Sequence, residues 1–278
     1  MDLQERLAEL TSTHGELRLL SLADERRLAR EFGIHPRQVE LAALAQRVLP
    51  ARYQRSLGTV GWEGQEKLLR ASVAVVGAGG LGGYVIEGLA RMGVGRLVVI
   101  DGDVFEEHNL NRQLLCTESV LGQAKAAAAA GRAAEVNAAV EVKVVDGLLS
   151  EENAPTLLAG ADVAIDALDS LPARFVLERA VKGLGVPLVH GAIAGYIAQV
   201  MTIFPEDEGL ARIYGRGNLP EKGVETIYGN PAATPMLCAA CQVQEAIKVL
   251  LGAGEPLRNR LLIIDGEYGS AEVIKFGQ

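Results

Sequence analysis

Several things are scarce in this chain of 278 residues, and each scarcity removes a class of protein. Three cysteines are too few for the disulfide framework of a small secreted scaffold. No apolar stretch reaches the roughly 18 residues that a bilayer-spanning helix needs. The start, MDLQERLAEL, carries acids where a signal peptide would carry a basic and then an apolar region. Cations are outnumbered, with 27 Lys and Arg against 35 Asp and Glu, and the net charge of −8 disfavours a nucleic-acid or anionic-membrane partner. His14 and His35 are lone histidines without ligand spacing and read as surface or cap residues. These absences predict a cytoplasmic protein with no nucleic acid and no membrane to bind. What is plentiful is core material: 49% of residues are hydrophobic and 22% charged, enough for one large domain or one domain with an appendage.

The stretch from Ser72 to Lys125 organises the rest. The run Val73 to Val76 is too short for a helix and ends at glycine, as a buried parallel strand does. GAGGLG follows, with Gly77, Gly79 and Gly82 at G-x-G-x-x-G spacing and Gly80 between them. Gly77 allows a sharp turn, Gly79 leaves room for a phosphate, and Gly82 permits close packing of helix on strand. A helical run, Tyr84 to Met92, would point free N–H groups and its positive dipole end at that phosphate. A second strand, Arg96 to Ile100, closes on Asp101, where an acid can hydrogen-bond a ribose hydroxyl.

That fingerprint alone fits any adenine nucleotide, NAD included, so a nicotinamide-dependent oxidoreductase is one reading. The residues after it narrow the choice. Asp101 and Asp103 lead to NLNRQ, with Asn109, Arg112 and Gln113, and then to GQAK, ending at Lys125. An arginine and a lysine in this order suit the charge of a triphosphate, although each alone could be a solvated surface cation. With these motifs the chain resembles the ubiquitin-activating superfamily, in its bacterial MoeB/ThiF/HesA branch. The same resemblance rests on RYQRS (Arg52 to Ser56), GQEKL (Gly64 to Leu68) and DALDS (Asp166 to Ser170), and covers roughly Arg52 to the C-terminus.

The resemblance implies ATP-dependent adenylation of the C-terminal glycine of a small ubiquitin-like sulfur carrier ending in Gly-Gly. That carrier would serve molybdopterin or tungstopterin, thiamine or a related sulfur-transfer route. It implies that Arg112 and Lys125, with Asn109 and Gln113, steady the triphosphate, and that Asp169 binds Mg²⁺. It further implies that Arg55 reaches the phosphates from the neighbouring subunit of a homodimer. Ser56 and Ser170 stand where the family pattern has glutamine and asparagine, which keeps a non-catalytic nucleotide-binding subunit among the readings. The crossover loop of the family, which passes over the carrier's tail, falls on Glu206 to Thr234.

The expected fold is α/β: a Rossmann-like, mostly parallel sheet with helices on both faces, antiparallel C-terminal strands and an N-terminal helical extension. Residues 1–50 form that extension, read from leucine spacing as a helical hairpin, and residues 51–278 the ATP-binding domain. Further helices are expected at Val120 to Asn137, Glu151 to Ala159, Leu171 to Leu184 and Pro235 to Leu251. Strands are expected at Val140 to Val145, Ala161 to Ala167, Pro187 to His190, Tyr196 to Phe204 (antiparallel), Arg260 to Asp265 and Glu272 to Phe276. Asp166 could cap the helix that follows it. His190, where the family more often has a small residue, reads as a core group or one that supports the site from behind, not as a catalytic one.

Cys238 and Cys241 form a single C-x-x-C pair inside an apolar helix, two of the four thiolates a closed zinc site needs, so no zinc site is expected in one chain. Glu206 to Met236 holds no cysteine for a thioester, and Cys116 reads as packing. The acyl-adenylate would therefore pass to a separate sulfur donor.

Overall fold

The first fifty residues fold around their own leucines in the computed structural model, which describes residues 2–216, 223 and 225–277. Helix α1 (Leu3–Leu10) starts at a capping box between Asp2 and Glu5. A hairpin of β1 (Ser12–His14) and β2 (Leu17–Leu20) turns at Gly15, whose φ of +62° suits glycine. Helices α2 (Leu22–Phe32) and α3 (Pro36–Ala45) follow, joined through Gly33 at the left-handed C-cap of α2. Strand β3 (Val48–Pro50) then lies parallel to β2. The extension is thus not the helical hairpin expected: it adds a small sheet in the order β1-β2-β3. Leu7, Leu28 and Val39 give it a core of its own.

A seam joins this module to the rest. Leu19, Leu44 and Leu49 pack with Tyr53 and with Leu69 of α4 (Leu57–Arg70). Charged groups are buried in the same seam. Arg52 bridges Glu25 of α2 at 3.0 Å and Glu40 of α3 at 3.2 Å, and the Tyr53 hydroxyl donates to Glu40 at 2.8 Å. Asn137 in turn donates to the Tyr53 oxygen at 2.9 Å. Arg37 of α3 donates to the Gly95 carbonyl and to Glu141, which ties α3 to the main domain.

The main sheet is assembled from β4 (Ser72–Val76), α5 (Gly82–Met92), β5 (Arg96–Asp101), α6 (Lys125–Val136) and β6 (Glu141–Asp146). After these come α7 (Ala154–Leu158), β7 (Val163–Asp166), α8 (Leu171–Leu184), β8 (Leu188–Ala194) and β9 (Ile197–Ile203). The chain ends with α9 (Ala211–Tyr214), α10 (Glu225–Tyr228), α11 (Ala233–Leu251), β10 (Arg260–Asp265) and β11 (Ser270–Lys275). The strand order is β11-β10-β9-β8-β7-β4-β5-β6. From β8 to β6 all neighbours are parallel, and β9, β10 and β11 add on antiparallel, as expected.

Alternation along β4 sorts the core: Val73 and Val75 face the cluster with α5 and α11, Ala74 and Val76 the cluster with α8. The chain leaves β4 towards β5 on one side and β7 on the other, so the carboxyl ends of β4 and β7 frame a crevice. The expected helix from Val120 begins later, at Lys125, because Gly122 sits at φ +81° and Val104 bridges Ala124 first. Residues 217–222 and 224 of the expected Glu206 to Thr234 loop lie outside the described residues.

Candidate active site

The crevice opens into a cavity of about 1260 Å³ with two halves. One half is made by the glycine loop. At Gly77, φ is +96° and a Cβ would lie 2.5 Å from the Ala167 carbonyl oxygen; at Gly82 it would lie 1.8 Å from the Gly77 oxygen. Neither position can hold a side chain. Gly79 and Gly80 line the cavity with room above them, and a Cβ on Gly79 would meet nothing closer than the Gln113 amide at 3.5 Å. The N–H of Gly77 goes to the Ile100 carbonyl and that of Ala78 to Asp101 at 2.6 Å. Those of Gly79, Gly80 and Leu81 make no hydrogen bond to another described residue. They stand at the start of α5, where an anion is favoured by both the free donors and the dipole.

The charged residues close around this loop. Asp101 accepts from Ala78 and, at 2.8 Å, from the Asp103 N–H, so it braces the loop as well as lining the cavity. Burial pushes its carboxyl upward against those two bonds. Lys125 is buried at the first position of α6 and its Nζ pairs with Asp103 at 2.9 Å. Arg112 donates to the His108 carbonyl and the Asn111 side chain, each at 3.0 Å, and lines the cavity. Gln113 is buried against the loop with its Oε1 unpartnered among the described residues, an acceptor with no protein donor to meet. Asp169 is exposed at the cavity wall and has no hydrogen bond or ion pair with a described residue.

Two expected residues stand elsewhere. Asn109 is absent from the lining of the large cavity; its Oδ1 accepts from the Glu106 N–H at 3.0 Å and shapes the turn that carries Arg112. Arg55 is exposed beside the start of α4 and does not line the cavity of its own chain.

The second half is walled by the end of β8 (Ala192, Ala194) and by Gln199, Tyr214, Tyr228 and Asn230. Below it lies a buried polar cluster, of which the sequence motifs announce only Asp166. Asp166 does not cap α8; Ser170 does, accepting from the Ala173 N–H at 3.5 Å. Asp166 instead accepts from the His190 Nδ1 at 2.7 Å, with Arg174 3.7 Å away. Burial would raise the Asp166 carboxyl, but Arg174 and the His190 bond outweigh it and hold the group below the usual range. His190 is fully buried, as a core reading expects, and burial keeps its imidazole below the ordinary histidine value despite Asp166. Arg174, Gln199 and Tyr214 were invisible in the sequence because they come from α8, β9 and α9 and meet only in the fold.

No group of three or more His, Cys, Asp or Glu is placed to hold a metal by itself among the described residues. Cys238 is buried, its Sγ directed at the Gln199 and Ala192 carbonyls, and burial pushes its thiol up to about 12. Cys116 is likewise buried and raised by desolvation, which is packing behaviour. For Mg²⁺ the fit is an exposed, unpaired Asp169 facing the free N–H groups of the loop across one cavity, which leaves room for phosphate oxygens to complete the shell.

Comparison with known proteins places the chain in a family. The SAMP-activating enzyme E1 of Haloferax volcanii is 37% identical over 231 residues, 81% of this chain and 84% of that protein. The sulfur carrier protein adenylyltransferase of Thermus thermophilus is 39% identical over 226 residues, 77% of this chain and 82% of that protein. Adenylyltransferase and sulfurtransferase MOCS3 of Mus musculus is 33% identical over 273 residues, but this chain spans only 59% of its length. Among solved structures, Escherichia coli MccB with ATP superposes at a TM-score of 0.67 with 20% identity, covering 92% of this chain and 80% of that one. Its likeness is one of fold. The ThiF family model matches residues 53–278, everything beyond the N-terminal module, and with relatives this similar the chain belongs to the ThiF family.

Proposed function

We propose that this protein is a nucleotidyltransferase that adenylates the C-terminal glycine carboxylate of a small ubiquitin-like sulfur carrier ending in Gly-Gly. The observation that carries the reading is the joined cavity: one half offers free N–H groups, Arg112 and Lys125 to a triphosphate, and the other offers a wall that includes Ala192, Ala194, Gln199 and Tyr214 to a peptide tail. A dinucleotide would need no such pair of cations.

A carboxylate is ionised at neutral pH, so no general base is needed. One carboxylate oxygen attacks the α-phosphorus of ATP, the bond to the bridging oxygen breaks, and the products are an acyl-adenylate and pyrophosphate. The protein's work is alignment and charge neutralisation. The loop N–H groups cradle phosphate oxygens, Asp101 faces the ribose, and Gln113 offers its unclaimed oxygen to a ligand N–H or O–H. Lys125 would turn from Asp103 to the phosphates. Mg²⁺, held by Asp169, would supply charge neutralisation on the triphosphate. Arg55, exposed in one chain, would reach the γ-phosphate from the second subunit of a homodimer. The adenylate would then meet a separate sulfur donor, in a cytoplasmic pathway of the molybdopterin, tungstopterin or thiamine kind. The division of the chain at residue 50 into module and adenylating domain is part of the same proposal.

Carrier-dependent exchange between ATP and labelled pyrophosphate tests the reading. Lys125→Ala should lower exchange by about a hundredfold or more while the melting temperature holds, since a charge aimed at the transition state is lost. Exchange at the wild-type rate in that variant would falsify the assignment.

A further inference from the structure

Tyr214 closes the end of α9, a four-residue helix, and its ring stands edge-on to that of His190, the centroids 5.7 Å apart. Its hydroxyl is fully engaged. An ionised Asp166 can only accept, so His190 carries its proton on Nδ1 and presents a bare Nε2. Tyr214 donates to that Nε2 at 3.1 Å and accepts from Gln199 at 2.6 Å, with Arg174 at 3.5 Å. Arg174 also donates to the carbonyl of Leu168, the residue before Asp169, and to that of Gly191. One side chain therefore ties the wall of the second half to the loop that carries the acid of the first.

Resting on the adenylation reading above, we propose that Tyr214 and His190 are positioning residues for the carrier's tail. Together they fix α9 as the wall against which the tail lies, while the bond from Arg174 to the Leu168 carbonyl does not depend on either of them. The alternative, a core contact that merely stabilises the fold, predicts a different signature. A stabilising contact would lower the melting temperature and leave the kinetic constants of the folded fraction alone. A positioning contact raises the KM for the carrier and lowers kcat, while the KM for ATP stays put.

The test measures carrier-dependent pyrophosphate exchange with a purified Gly-Gly-ending sulfur carrier at varied carrier and varied ATP. Tyr214→Phe keeps the ring and removes the hydroxyl. His190→Asn keeps a donor for Asp166 but, being shorter, places no acceptor where Nε2 stood, and so preserves the buried ion pair in case the first variant is poorly folded. Each should raise the carrier KM by about tenfold, the scale of one or two lost hydrogen bonds, with the ATP KM unchanged. The double variant should be no worse than either alone, as expected of residues that act as a unit. An unchanged carrier KM in both variants, or effects that multiply, would overturn the positioning role while leaving adenylation standing. Absence of carrier-dependent exchange in the wild type would remove both.

Discussion

Two buried clusters in this molecule use the same parts and hold protons in opposite ways. In the seam under the N-terminal module, Arg52 meets two carboxylates, Glu25 and Glu40, beside the hydroxyl of Tyr53. Beneath the cavity, Arg174 and His190 meet one carboxylate, Asp166, beside the hydroxyl of Tyr214. Burial, with the charge of Glu25 added, pushes Glu40 up to about 8. Burial acts on Asp166 as well, yet that group sits below its ordinary value. The difference is the count of cations per acid. One guanidinium cannot hold two buried carboxylates ionised, whereas one carboxylate beside a guanidinium and an imidazole N–H remains ionised. The seam cluster can share a proton; the cavity cluster is a fixed charge, which suits a device that must hold a wall still.

The strongest way to break the comparison is Asp166→Asn. It leaves Arg174 buried without its carboxylate, and removal of one partner from a buried pair costs about 3–5 kcal/mol. The wild type should also lose stability as pH falls. A folded value held below the unfolded one contributes above about 3.8, and is lost as pH drops through the folded value. Thermal melts from pH 3 to 7 should show a steeper acid limb in the wild type than in Asp166→Asn, in which Glu63 and Glu87 still contribute. An unchanged melting temperature at pH 7 in the variant would contradict the fixed-charge account.

A smaller effect of opposite sign is expected in the seam. Because Glu40 is raised, its contribution is complete below about 4.5 and is lost as pH climbs through about 8. Glu40→Gln supplies a permanently neutral partner for the Tyr53 hydroxyl. The variant should match the wild type near pH 5 and exceed it near pH 9 by roughly 2–3 kcal/mol, about 5–10 °C in melting temperature. Parallel melting curves for the two proteins across that range would show that Glu40 is ionised throughout.

The half of the cavity made by the glycine loop was legible in the sequence because its residues belong to one continuous stretch. Val73 to Val76, the glycines, Arg112 and Lys125 each sit where local chemistry demands them, and turn geometry alone brings them round one crevice. Asn109 accepts from the Glu106 N–H and lines a smaller pocket with Asp103 and Lys125 rather than the large cavity, a placement that motif spacing does not reveal. The other half was not legible. His190 and Tyr214 are 24 residues apart in different elements, and no periodicity predicts that they share a proton. In the N-terminal module the leucine spacing that reads as helix also serves the short strand Leu17–Leu20, where a glycine turn and pairing with Val48–Pro50 decide the outcome.

The central claim is that the cavity is charged for a triphosphate and not for a dinucleotide. Calorimetric titration of the intact protein with ATP in the presence of Mg²⁺, and separately with NAD, measures this directly. The structure predicts saturable binding of Mg·ATP that weakens sharply in Arg112→Ala and Lys125→Ala, with no saturable binding of NAD. Tight uptake of NAD by a protein indifferent to Mg·ATP would contradict it.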